Sequence, residues 1–227
     1  MANNSKSLRI RLIESAADLF IKHGYYNTTL KMIADGAHTN TGSLAWEFKT
    51  KEEILYELVG FVIENQFRVT EEIATVYTKD KILIYAFEAC LQLHIAELDE
   101  HIREMYDVSY TMARTSQKIF KVMAAKFEEL FKEYQPNFTR KDFYEREIAA
   151  AGIMRNYLVT PCDMYFEMFR KIEIFLESTL LLFEVPKYKV KEAIEFVNFF
   201  NMREIAEDVL NNLNAYFISR LENKNLF

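Results

Sequence analysis

Glycine and proline are scarce in this chain, five and three among 227 residues. So few breakers exclude a turn-rich β architecture and a low-complexity or collagen-like chain. Two cysteines, Cys90 and Cys162, stand far apart with no CxxC, which excludes a disulfide scaffold and a cysteine zinc site and suits a reducing compartment. No apolar run is long enough for a membrane span: the greasiest stretch, IEIFLESTLLLFEV, is interrupted by Glu173 and Glu177. The N-terminal MANNSKSLRIRLIES lacks the apolar segment of a signal peptide, so the expectation is a cytoplasmic protein without membrane contact. Also missing are a Gly-rich phosphate loop, a nucleophile elbow and HExxH, so no enzyme is expected.

What is there is apolar and helix-compatible. Half the residues are hydrophobic and 15% are aromatic, enough to bury a sizeable core. Long stretches of Leu, Ile, Phe, Glu, Lys and Ala predict an all-α protein. The net charge of −6 hides an asymmetry, since residues 1–51 carry seven Lys or Arg against four acids. A mildly basic head on an acidic body implies two surfaces with different partners.

Apolar spacing predicts a helix from Ser7 to His23, closed at Gly24, then a short helix capped by Thr28 or Thr29 with Leu30, Ile33, Ala34 and Ala37 inward. After HTNT, a third short helix carries Gly42, Leu44, Ala45 and Phe48. Thr50-Lys51-Glu52-Glu53 is a capping-box pattern that launches a long helix. Two short helices joined by a tight turn form a helix-turn-helix, which offers its second helix to the DNA major groove. Thr39, Asn40, Thr41, Ser43 and Trp46 would face bases, with Leu44 and Phe48 as anchors. For Trp46, packing against the fourth helix is an equal expectation. Arg9, Thr29, Lys31, Lys49 and Lys51, with Lys6, would hold phosphates.

Residues 8–58 resemble the DNA-binding domain of the TetR family of bacterial transcriptional regulators. The match is carried by Phe20, Gly24, Tyr25, Thr28, Thr29, Ile33, Ala34, Gly42, Leu44, Phe48, Lys51, Glu52 and Glu53. The resemblance implies a three-helix head over residues 1–52 and a helical effector-binding and dimerisation body over 53–227. It further implies a homodimeric repressor released from operator DNA by a small effector. Three positions depart from the pattern. His38 stands where the family usually has a turn glycine, and Ala45 and Glu47 replace a tyrosine and a histidine that help hold the DNA backbone. Because Glu47 would repel phosphate, the alternative is a helical ligand-binding or interaction module that has lost specific DNA binding.

The body reads as helices over 80–99, 102–114, 116–134, 140–159, 162–183, 188–199 and 202–222, with breaks at Pro136, Pro161 and Pro186. Phe87, Cys90, His94, Tyr106, Tyr110, Phe127, Met154 and Tyr157 are candidate ligand contacts in a mostly apolar pocket. His94, Glu97 and His101 share a helical face, but without paired Glu-x-x-His helices they read as a charged surface; no metal or other cofactor is expected. The stripes Phe166, Phe169, Ile172, Phe175, Leu176 and Ile205, Val209, Leu213, Phe217, Leu221 are candidates for the dimer interface.

Overall fold

The computed structural model describes residues 7–211, and among these every regular element is an α-helix. The head comprises α1 (Leu8–His23), α2 (Leu30–Gly36) and α3 (Thr41–Glu47), and α4 (Lys51–Ala74) runs from it into the body. Lys6, Leu213, Phe217 and Leu221 lie outside the described residues.

Each head helix starts where a side-chain oxygen accepts an otherwise orphaned amide. Ser7, Thr29, Asn40 and Thr50 accept from Ile10, Met32, Ser43 and Glu53. The expected reach-back of Glu53 occurs one residue early: its carboxylate accepts from the Lys49 amide at 2.7 Å. Thr29 is the cap of α2, while buried Thr28 instead donates to the carbonyl of Gly24 at 2.8 Å. At the end of α1, Gly24 takes a positive φ of 78° but an extended ψ of 162°. Helices α1 and α2 approach closely at Gly36, where a Cβ would sit 2.4 Å from Ser15 Oγ.

The α2–α3 turn shows how the chain manages without its expected glycine. His38 has φ 52°, its amide donates to Asp35 and that of Thr39 donates to Ala34 (3.0 and 2.9 Å). These two bonds form a Schellman closure, held by a residue that carries a Cβ in the left-handed region. His38→Gly is therefore expected to stabilise the protein by about 1 kcal/mol. Thermal unfolding of the two proteins checks this; a lower midpoint for the glycine variant would contradict it.

The body wraps α5 (Lys81–Leu98) with α6 (Glu100–Thr111), α7 (Ala113–Phe131), α8 (Arg140–Val159), α9 (Met168–Leu182), α10 (Lys187–Asn198) and a helical segment over 202–211. Helix α5 is buried on nearly every side. Helix α6 starts earlier than expected because Asp99 accepts from the amides of His101 and Ile102 (2.8 and 2.9 Å). Helix α9 starts six residues later than expected. Asp163 turns the chain by accepting from the amides of Tyr165 and Phe166, a local bond that competes with helix. Buried Lys171 ties the same loop down through the Thr160 carbonyl (2.7 Å) and Glu97 (3.3 Å).

Head and body meet along α6. The Tyr26 amide donates to Glu104 at 2.8 Å, and His101 Nδ1 donates to the Ile21 carbonyl at 2.9 Å. With Glu97 paired to Lys171 and His101 bound to Ile21, the acidic face of α5–α6 is tied into the fold rather than gathered round an ion.

Candidate DNA-reading face and effector cavity

Helix α3 is fixed from beneath and bare above. Leu44 and Phe48 are each 1% exposed, while Thr41, Gly42 and Ala45 are exposed and Trp46 is 92% exposed. The expectation that Trp46 packs on the fourth helix is overturned: position 46 lies on the side of α3 opposite its anchors. Asn40 is exposed but its side-chain oxygen caps α3, accepting from the Ser43 amide at 2.8 Å. Thr39 and Ser43 are half-buried, and Thr29, Lys31 and Lys49 are exposed around the rim.

Two basic residues assigned to phosphate are occupied within the fold. Arg9 lies 4.3 Å over the Phe48 ring, binds Glu57 at 2.9 Å, donates to the Glu47 carbonyl at 3.2 Å and pairs with the Glu47 carboxylate at 3.6 Å. It pins α1, α3 and α4 together, and its cation sits at the negative end of α3. Lys51 turns into the α1–α2 loop, donating to the Thr28 carbonyl at 2.7 Å and to that of Tyr25, with Nζ 4.2 Å from the Tyr25 ring centre. Burial lowers its pKa, as expected for an ammonium drawn from water. Glu47, read from sequence as a repeller of phosphate, is thus largely offset by Arg9.

Below the head lies a cavity of about 220 Å³, walled by α4 to α8 with contributions from Phe175 and Val209. Two residues of the head's own first helix, Ala17 and Ile21, complete it. Of the eight expected contacts, Tyr106, Tyr110, Phe127 and Met154 line it; Phe87, Cys90, His94 and Tyr157 do not. Helix α5 gives the cavity Tyr85, Glu88, Leu91, Gln92 and Ile95, and turns Phe87 to the Phe200 ring 5.1 Å away. His94 looks toward Arg203, and its pKa falls to about 4 through burial and that neighbouring cation. Tyr157 packs on Phe166 and Phe175 at 5.6 and 5.7 Å.

The polar wall residues that sequence reasoning missed are Glu88 and Glu147, each at most 2% exposed. Gln66 and Gln92 both donate to one oxygen of Glu88, yet burial outweighs those bonds and raises its pKa to about 7. Burial also pushes Glu147 well above the carboxylate range. The available signal was compositional: Glu88 and Gln92, one turn apart, interrupt an otherwise apolar KILIYAFEACLQLHIAEL.

A capped helix-turn-helix with its second helix laid bare thus stands on a helical body that holds an apolar cavity. Residues 12–58 match the model of the family described as "Bacterial regulatory proteins, tetR family", so the N-terminal domain belongs to the TetR family. The repressor KstR2 of Mycobacterium tuberculosis is 43% identical over 63 residues, 27% of this chain and 32% of the relative. The regulator QacR of Staphylococcus aureus is 26% identical over 119 residues, 51% of this chain and 63% of that protein. The chain thus spans a third of one relative and less than two thirds of the other. The crystal structure of RolR in complex with resorcinol has the same fold, with a TM-score of 0.62, 18% identity and coverage of 84% of this chain and 92% of RolR.

Proposed function

We propose that this chain is a TetR-type transcriptional repressor that binds operator DNA as a homodimer in the cytoplasm and is released when a small, mostly hydrophobic effector enters the cavity. The observation that carries this reading is α3, whose outward side is exposed while Leu44 and Phe48 hold it to the core. A helix packed for structure alone has no reason to present a tryptophan to solvent beside a row of small polar residues. The alternative, a module that has lost specific DNA binding, drew its force from Ala45 and Glu47, and the Arg9 contact weakens the part that rests on Glu47. No helix among the described residues is long and apolar enough to cross a membrane.

Binding to DNA upstream of the protein's own gene, measured across salt, tests the proposal. Preference over random duplex should be strong, and affinity should fall steeply with added salt. The double change Thr41→Ala and Ser43→Ala is expected to cut that preference about tenfold while sparing nonspecific affinity. Equal losses on both DNAs would show that these hydroxyls do not read bases.

For the homodimer, the stripe Ile172, Phe175 and Leu176 is excluded as an interface, since all three are buried within the chain. The exposed apolar side chains nearby are Ile148 on α8 and Phe169 and Leu181 on α9, with exposed Ala149 and Gly152 allowing close approach. Helices α8 and α9 run antiparallel, joined by Arg146 to the Leu182 carbonyl at 2.9 Å. Their shared outer face suits an isologous four-helix contact. Phe169→Glu should shift the protein from dimer to monomer by sedimentation velocity; an unchanged dimer would place the interface elsewhere.

A further inference from the structure

The cavity beneath the head is unbalanced in its hydrogen-bonding character. Among the described residues its walls contain no lysine, arginine or histidine, although they contain two carboxyl groups. The amide nitrogens it does contain are engaged by the protein. Asn65 donates to the Phe61 carbonyl at 2.7 Å, and Gln66 and Gln92 converge on one oxygen of Glu88. The Ser109 hydroxyl donates to the Met105 carbonyl at 2.6 Å. The other oxygen of Glu88 is buried without a partner. Glu147, on the facing helix α8, has burial as the one cause of its raised pKa, with no hydrogen bond or cation to offset it.

Tyr85 and Tyr110 each feel both carboxyl groups, which places the two acids around one compartment. The nearest cation, Lys126 on α7, is committed outward: it pairs with Glu71 at 3.2 Å and Glu129 at 3.3 Å and lies over the Phe67 ring. A buried, incompletely satisfied acid is costly unless something compensates it. Nothing among the described wall residues does so, and Glu88 and Glu147 both line the cavity.

We infer that the effector is an aromatic or aliphatic amine, protonated in water, whose ammonium group docks against the carboxyls of Glu88 and Glu147 while its apolar skeleton fills the rest of the cavity. This rests on the reading of the cavity as the effector site. Charge-assisted hydrogen bonds in a dry site are the strong ones, and a cation supplies what both acids lack. Tyr106 and Tyr110, whose rings line the same space, complete the compartment for the ammonium. A neutral alcohol of the same shape would satisfy one acceptor without balancing the charge that Glu88 carries once it ionises, and a carboxylate would oppose that ionisation.

Three probes on one skeleton separate these cases: 1-naphthylmethylamine, 1-naphthylmethanol and 1-naphthoate, titrated calorimetrically at neutral pH into the full-length protein. The amine should bind at least about tenfold more tightly than the alcohol, with naphthoate weakest. Glu88→Gln, which keeps an oxygen for Gln66 and Gln92, should remove most of that advantage and leave alcohol binding within about twofold; Glu147→Gln should act in the same direction. Alcohol binding that equals or exceeds amine binding, and is lost in the cavity-filling Met154→Trp variant, would overturn the inference while leaving the effector cavity standing. Equal loss of amine and alcohol on Glu88→Gln would also overturn it. If none of the three probes binds, both the inference and the effector-cavity reading fail.

Discussion

Glu88→Gln is expected to melt several degrees above the parent protein at pH 8 and close to it at pH 5. The reason is the direction of the Glu88 shift, from the ordinary 4.5 to about 7, caused first by burial and only partly offset by Gln66, Gln92 and Lys126. A folded state that holds a proton more tightly than the unfolded chain is favoured while that proton is bound. Stability is therefore fully present below about pH 4.5, erodes as pH rises through the window up to about 7, and is lowest above it. Glutamine keeps the oxygen that accepts from both neighbours and never ionises, so it escapes the erosion. The gap at pH 8 should be on the order of 3 kcal/mol. Glu147 shifts the same way, so the Glu88→Gln variant should retain some pH sensitivity. Parallel melting curves for parent and variant from pH 5 to pH 8 would refute the assignment of Glu88 as a buried acid.

Phe48→Ala should abolish operator binding with the body still helical. Phe48 is 1% exposed, ends α3 and carries the Arg9 guanidinium 4.3 Å above its ring. Truncating a buried phenylalanine costs about 3–5 kcal/mol, and here it also removes the platform on which Arg9 reaches Glu47 and Glu57. That loss falls beside Leu12, Phe20 and Leu44, the buried residues that α1 and α3 bring to the head end of the core. Hydrogen exchange should show the amides of α3 deprotected and those of α5 and α8 unchanged, with a fall in specific DNA affinity of at least about tenfold. Retained protection over 41–48 would mean that the rest of the head holds α3 without this ring.

The head was legible because short-range chemistry dictates it. Thr29 and Thr50 cap where they stand, Leu44 and Phe48 fall on one side of a two-turn helix, and His38 is a residue type that tolerates positive φ. Arg9 and Lys51 were misread since a cation's partners depend on what the fold brings beside it. Glu57, 48 residues along the chain from Arg9, and the carbonyls of the α1–α2 loop cannot be found by spacing.

The cavity was half legible for a different reason. Helix α5 is apolar almost all the way round, so periodicity cannot say which side meets a void and which meets a neighbour. Phe87, Cys90 and His94 went to the wrong side of that ambiguity. On α6 to α8, where polar residues mark the outside, Tyr106, Tyr110, Phe127 and Met154 do line the cavity. The start of α9 was misplaced by trusting Pro161 as a first-turn residue, when Asp163 and the Lys171 anchor keep that segment in a loop.

Ala17 and Ile21, from the first helix of the reading head, are part of the lining of the effector cavity. A chimera that grafts another regulator's head at the start of α4 would import foreign residues into that lining and retune which molecules induce it. On the proposed function, inducer selectivity and operator choice would not assort as independent modules, and a transplanted head would need positions 17 and 21 restored to keep the original response.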